Sequence, residues 1–261
     1  MDNPQNPENA TLNRRVKILN MLEEQNHIQI VTLSNLFHVS DVTIRNDLSH
    51  LEQKGLLIRT RGGAIKQQRV GLDFRLSEKA SQHYAEKQRI GKKAREFINP
   101  GDTIILDSGT TTLEIGKNLN DIEELTVITN AINIAALLAD LKNIKVVVPG
   151  GFLRENSLSL VGATAEDSLK NFHCDKVFMG VDGIDSGYGI STPNIEEAHL
   201  NRIMIEVANE LIVAADSSKF YKKSFAFIAP ISSISTLITD KNIPGEEHNK
   251  LRNAGINVTL V

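Results

Sequence analysis

With one cysteine, Cys174, in 261 residues, no internal disulfide can form and no Cys-x-x-Cys pair exists to hold zinc. The seven histidines, at 27, 38, 50, 83, 173, 199 and 248, fall at neither HxH nor HxxxH spacing, so metal binding is unsupported, and nothing points to a cofactor. Tryptophan is absent and the apolar runs are short. No apolar stretch near the N-terminus follows a basic start, so no membrane span or secretory leader is expected, and the reducing cytoplasm fits. The opening MDNPQNPENA is a polar, Pro/Asn-rich stretch expected to be a disordered tail over 1–10. Asn9-Ala10-Thr11 and Asn257-Val258-Thr259 match the glycosylation pattern, a chance match in a cytosolic chain. A strong charge of either sign is also missing. Residues 1–70 carry nine Lys/Arg against seven Asp/Glu, which leaves 20 against 25 for the rest. The basic surplus of the first part is too small for binding driven by charge alone, so geometry and a second subunit must contribute.

What is present is most concentrated between Val39 and Ala64, VSDVTIRNDLSHLEQKGLLIRTRGGA. The spacing predicts a helix from Asp41 to Lys54 with Ser40 as N-cap and Gly55 as its stop, turning Ile44, Leu48 and Leu51 inward. Its other face presents Thr43, Arg45, Asn46, Ser49 and His50, hydrogen-bonding groups suited to base edges. A short helix, Thr32 to Phe37, with Leu33, Leu36 and Phe37 apolar, precedes it across a tight link. This is a helix-turn-helix arrangement, which sets its second helix into a major groove. Leu56 to Thr60 and Ala64-Ile65 flank a glycine turn carrying Arg59 and Arg61, a wing placed to touch phosphate. A helix from Thr11 to Gln25 with Leu12, Val16, Leu19 and Leu22 inward, and an edge strand at Ile28 to Ile30, complete a winged helix-turn-helix domain over 11–66.

The pattern VSxxTIRxDLxxLExxGxxxRxxGGA resembles the signature of the DeoR family of bacterial transcriptional regulators. The family pattern usually has a second arginine where this chain has Asn46. By the resemblance, Ser40, Asp41, Thr43, Arg45, Asn46, Arg59 and Arg61 would meet double-stranded operator DNA. A homodimer or homotetramer is expected, because one head reads only a half-site.

Residues 67–82 are polar, without sustained period, and read as a linker. From 83 to 261 helical and strand patterns alternate: a charged helix over Tyr84 to Ile98, then strands at 103–106, 125–129, 144–148, 176–181, 211–215, 225–228, 237–238 and 256–261. Helices fall between them at 111–120, 131–140, 164–171, 196–208 and 246–254. Val/Ile-rich strands alternating with helices predict an α/β layered body with parallel strands.

Ligands bind such sheets at the carboxyl ends of strands, so the strand-to-helix loops are candidates. Asp107-Ser108-Gly109-Thr110-Thr111 follows a strand directly and opens a helix, which suits a phosphate, although a plain capped turn has the same composition. Thr129-Asn130 offers hydroxyl-binding side chains or a simple cap. Gly150-Gly151 permits close backbone approach or only a turn. In GVDGID, Asp182 flanks Gly183 at a strand end, where an acid can bind sugar hydroxyls or move a proton. Lys219 in DSSKF can neutralise phosphate.

Together these loops resemble the sensor half of the same family, which is similar to ribose-5-phosphate isomerases and coenzyme A transferases. DSGTT is similar to the isomerase phosphate loop and GVDGID to its acid loop. The resemblance implies that Asp107, Ser108, Gly109, Thr110 and Thr111 hold the phosphate of a sugar-phosphate effector, and that Asp182 and Lys219 meet its sugar. The isomerases' KGxGG stretch has no counterpart in SGYGISTPNIEEAHL, which implies binding without turnover. TIRNDL, ILDSGTTTLEI and EEAHLNRIMIEVA with IVAADSSKF most resemble the N-acetylgalactosamine-pathway repressors of the family, which also carry Asn at the Asn46 position. The expected function is a repressor of an amino-sugar operon relieved by a phosphorylated sugar. The alternatives are an isomerase carrying a DNA-binding head and a body that serves only oligomerisation.

Overall fold

A computed structural model describes residues 7–25, 27–54, 56–66 and 73–261. The chain divides into two compact units, 1–72 and 73–261.

In the first unit α1 (Pro7–Gln25) opens with proline at its first position, where no backbone donor is lost. The helix therefore begins inside the stretch expected to be a disordered tail, of which residues 1–6 lie outside the described residues. Val16, Leu19 and Leu22 are buried as expected, but Leu12 is exposed and Ile18 takes a place in the core. β1 (His27–Gln29) leads directly into α2 (Ile30–Phe37), which ends on His38 in a left-handed conformation whose N–H reaches Ser34 O. Leu33 is buried, whereas Leu36, expected inward, is exposed.

α3 (Asp41–Gln53) starts from Ser40, whose Oγ accepts the Thr43 N–H at 3.2 Å. Ile44, Leu48 and Leu51 are buried, and the expected stop at Gly55 lies outside the described residues. β2 (Leu57–Thr60) and β3 (Gly63–Lys66) pair across Arg61-Gly62, and β1 adds to β3, giving the order β1-β3-β2. Gly63 is there because β1 lies against it: a Cβ would sit 1.8 Å from Ile28 O.

The second unit begins at Asp73, so the expected linker over 67–82 is only partly one. Residues 67–72 lie outside the described residues, while α4 (Leu76–Ala80) is a formed helix of the body. α5 (Tyr84–Ala94), β4 (Thr103–Leu106), α6 (Thr110–Gly116), β5 (Leu125–Thr129), α7 (Ile132–Leu138) and β6 (Ile144–Val147) follow in alternation. A hairpin, β7 (Phe152–Arg154) and β8 (Ser159–Val161), precedes α8 (Ala163–Leu169) and β9 (Cys174–Met179). A second hairpin, β10 (Gly183–Asp185) and β11 (Gly189–Thr192), precedes α9 (Ile195–Glu206) and β12 (Ala208–Ala214). The chain closes with β13 (Ala226–Ala229), β14 (Thr236–Thr239), α10 (Gly245–Asn253) and β15 (Asn257–Leu260).

Seven strands form a parallel sheet in the order β15-β14-β12-β9-β4-β5-β6. Alternate strand residues feed two cores. Ile104, Leu106, Val127, Phe178 and Ile212 pack with α5, α6 and α7 on one face. Ile105, Ile128, Val177, Met179 and Val213 pack with α8, α9 and α10 on the other. The strand expected at 225–228 does not join this sheet: β13 pairs antiparallel with β11, in the order β10-β11-β13.

The chain builds outward from β4 through β5 to β6, returns to place β9 beside β4, and then builds the other way. The β4–β9 boundary is a topological switch point, where adjacent loops diverge and leave a crevice at the strands' carboxyl ends.

Candidate functional site

The crevice at that switch point is a small cleft that opens to solvent. β4 delivers Asp107 to Thr111 to one wall, and β9 delivers Gly180, Val181 and Asp182 to the other. The first loop is tied to β9, the Asp107 N–H donating to Phe178 O at 3.1 Å, and the second to β11, the Asp182 N–H donating to Ser191 O at 3.0 Å. Thr110 and Thr111 lie in the first turn of α6, whose amides have no acceptors within the helix. Lys219 enters from the short 3-10 turn Ser217–Lys219 after β12. The expected effector residues Asp107, Ser108, Gly109, Thr110, Thr111, Asp182 and Lys219 are thus brought together.

Four others are not. Thr129 and Asn130 are fully buried at the end of β5. Thr129 Oγ1 accepts the Ala131 N–H at 3.1 Å and caps its own turn, while Asn130 Nδ2 donates to Leu160 O at 3.3 Å and fastens the chain to the β7–β8 hairpin. Gly150 and Gly151 make the turn into that hairpin with φ of 79° and 114°. A Cβ on Gly151 would meet Val161 O at 2.6 Å, so backbone packing against β8 requires a glycine here.

The structure adds residues to the cleft that the sequence reading left out. Lys79, on α4 in the supposed linker, donates to both Asp182 oxygens at 2.8 and 3.0 Å, and Lys219 Nζ stands 3.6 Å from Oδ1. Lys87, on α5, is 3 % exposed and donates to Lys79 O at 2.6 Å. It precedes Ile90 by three residues and Ala94 by seven, on the inward face, and that spacing was the available signal. Arg154 on β7 pairs with Asp73, with Ser157 Oγ at 2.8 Å and with Glu197 Oε1 at 2.9 Å. Glu197 stands three residues after the N-cap Asn194, so its backbone N–H is capped while its carboxylate faces the cleft, and Asn201 follows one turn later.

The cleft's charges depend on one another. Burial pushes the Asp107 carboxyl up to about 8, with the negative charge of Glu197 adding to the effect. Burial also pushes Asp182 upward, but the ammoniums of Lys79 and Lys219 outweigh it and hold the carboxyl at about 2. Burial, reinforced by Lys219, lowers Lys87 to about 8. Four cationic side chains, Lys79, Lys87, Arg154 and Lys219, therefore face four acids, Asp73, Asp107, Asp182 and Glu197, one of which is largely neutral at pH 7. The residues that line the cleft are net positive, which suits an anion, while the ionised Asp216 beside Lys219 and Lys87 balances part of that charge from behind. A carboxyl held at about 2 is a weak base, far from the near-neutral value that proton transfer favours.

In the first unit Asp41, Arg45, Asn46 and Arg61 are exposed. Ser40 and Thr43 are joined to each other at 2.9 Å in the cap of α3. Arg59 leans on Glu52, its N–H donating to Oε1 at 3.0 Å and its guanidinium lying 3.7 Å from Oε2. Asp47 was unforeseen: it is 2 % exposed on the apolar face of α3 and accepts from Arg14 at 2.6 Å and Arg15 at 2.7 Å. Among the described residues no group of His, Cys, Asp or Glu could hold a metal ion, and no helix is long and apolar enough to cross a membrane.

Comparison with known proteins meets this geometry from both ends of the chain. Residues 14–70 match the DeoR-like helix-turn-helix domain and residues 82–241 the DeoR C terminal sensor domain. The chain is 41 % identical over 254 residues to a provisionally named aga operon transcriptional repressor of Escherichia coli O157:H7, covering 97 % of this chain and 94 % of that one. It is 38 % identical over 248 residues to an uncharacterized helix-turn-helix-type transcriptional regulator, YulB, of Bacillus subtilis strain 168, covering 95 % and 96 %. Among solved structures, ribose 5-phosphate isomerase A of Methanocaldococcus jannaschii aligns with a TM-score of 0.41 at 19 % identity, over 54 % of this chain and 56 % of that one. The relatives are named as regulators and repressors, and the chain belongs with them to the DeoR family of DNA-binding transcriptional regulators.

Proposed function

We propose that this DeoR-type repressor controls an amino-sugar operon in the cytoplasm and is released from its operator by a phosphorylated sugar bound in the β4–β9 cleft. The observation that carries the reading is Asp182 held between Lys79 and Lys219 beside the Asp107–Thr111 loop. In this reading the loop amides and the two lysines take the phosphate, while Asp182, Glu197 and Asn201 take sugar hydroxyls. The amino-sugar assignment draws on the relative named for the aga operon and on the sequence resemblance to N-acetylgalactosamine-pathway repressors.

The cleft wall also holds the segment with which the body begins. Asp73 is the first described residue after the head, and the segment it begins is fixed by Asp73 to Arg154 and by Lys79 to Asp182. An anion that draws Arg154 and Lys79 to itself exchanges both ties, so occupancy and the hold on this segment are linked. The effector must bind the DNA-incompetent arrangement more tightly, and each tenfold preference shifts the balance by about 1.4 kcal/mol.

The test is a titration of the protein on DNA upstream of its own gene at fixed salt, repeated with a panel of amino-sugar and hexose phosphates. One sugar phosphate is expected to lift wild type off DNA and to leave Ser108→Trp, whose loop is blocked, bound. Tight DNA binding that no phosphate alters would remove the sensing half of the proposal. Turnover of a sugar phosphate abolished by Asp182→Asn would favour an enzyme. In this reading the protein works as a dimer or tetramer, which a solution mass measurement reads directly.

A further inference from the structure

The outward face of α3 is not wholly polar. Val42, in its first turn, is 66 % exposed, more than any other large hydrophobic residue described in the head. At roughly 100° per residue, it lies opposite the direction shared by the buried Ile44, Asp47, Leu48 and Leu51. Asn46, Ser49 and Gln53 continue the same row, so Val42 heads the middle line of the face turned to solvent. Valine gains nothing there from burial, and its branched side chain is a poorer helix former than alanine.

Major-groove chemistry gives such a residue a use. Among the groups that base pairs present in that groove, the thymine 5-methyl is the apolar one. The N-terminal residues of a recognition helix are those that reach base edges. Asn46, one turn further along, carries the amide that pairs with adenine N6 and N7. One helical turn advances about 5.4 Å, less than two base-pair steps of roughly 3.4 Å.

We propose that Val42 reads the 5-methyl group of a thymine lying within two base pairs of the base that Asn46 contacts, and so sets part of the operator preference. The inference rests on α3 being the helix that enters the groove. It is an apolar contact next to a polar one, and the two discriminate independently.

Uracil substitution tests it, because replacing one thymine by uracil removes the methyl and leaves every hydrogen-bonding edge in place. Full-length wild type, titrated at fixed salt on its footprinted upstream segment with thymines replaced singly, is expected to lose about fourfold to tenfold in affinity at one position in each half-site. Val42→Ala, which favours the helix, should lose as much on unmodified DNA and become indifferent to uracil at that position. Its binding to random DNA should be unchanged. If Val42→Ala keeps the wild-type thymine-over-uracil ratio at every position, or if wild type ignores all uracils, the proposal is overturned. Asn46→Ala separates the two levels of inference. If neither it nor Val42→Ala changes the ratio of operator to random binding, the placement of α3 in the groove fails as well.

Discussion

Head and body handle charge in opposite ways. In the head Arg45 and Arg61 stand exposed, and the buried carboxylate of Asp47 serves two arginines of α1. In the body Lys79, Lys87, Arg154 and Lys219 converge on a cleft where acids already hold some of them. Exposed charge suits a partner that is itself a long polyanion and brings its own counterions to release. Enclosed charge suits a small anion, which must replace contacts the protein already makes. In the proposed reading the head meets DNA as it stands, whereas an anion enters the body only by exchange with contacts already made.

The contrast is broken most severely by removing the buried carboxylate of Asp47. Asp47→Ala leaves Arg14 and Arg15 unpaired against α3, and the head is expected to lose about 3 kcal/mol of stability. Chemical denaturation followed by a probe in the head reads this, and an unchanged midpoint would mean that the arginines find other partners. Next comes the cleft. Lys79→Ala removes a charge-assisted contact worth roughly 1.5–3 kcal/mol, so sugar-phosphate affinity should fall about tenfold to a hundredfold by calorimetry, with operator affinity kept. Adding Asp182→Asn should recover part of the loss, because the carboxylate that Lys79 screens then carries no charge.

pH sharpens the contrast further, since enclosed groups titrate far from their usual ranges. Asp107 holds its proton in the fold up to about 8 but releases it near 3.8 when unfolded, so the unfolded chain binds fewer protons between these values and stability falls as pH rises through them. Lys87 is lowered from 10.5 to about 8, so from 8 to 10.5 the unfolded chain binds more protons and stability recovers. Melting temperature is thus expected to dip near pH 8, and Asp107→Asn should flatten the acidic arm alone. Anion affinity should decline through the same pH 8, where the cleft gains a negative charge and loses a positive one. The smallest effect belongs to the exposed surface. Arg61→Ala should weaken operator and random DNA alike, lowering the slope of log affinity against log salt by about 1. Asn46→Ala should instead narrow the gap between operator and random DNA.

The same difference explains what could be read before the fold was known. The head's motif is local: the cap at Ser40, the stripe Ile44, Leu48 and Leu51 and the turn at Arg61-Gly62 all follow from spacings within one stretch. Asp47 escaped because an acid on an apolar stripe has meaning only once α1 brings Arg14 and Arg15 to it. In the body the strands of the parallel sheet were legible as Val/Ile runs, and the two loops at the switch point stood out by composition. Their cationic partners did not, because Lys79 and Arg154 lie 103 and 28 residues from Asp182 in sequence and sit in segments without period. The β7–β8 and β10–β11 hairpins were missed for a similar reason, being strands of three or four residues beside glycines. Thr129, Asn130, Gly150 and Gly151 have a composition that suits a ligand but line a different part of the fold, where Asn130 bonds to the β7–β8 hairpin and Gly151 packs against it.

The order in which β4 and β9 come to lie side by side has a consequence for synthesis. The described contacts of the head close by residue 66, whereas the cleft needs strands from both sides of the switch point and is complete only when Lys219 has been added. Domains fold in turn from the N-terminus as the chain emerges. Each new molecule thus completes its DNA-binding head before it completes its sensor cleft.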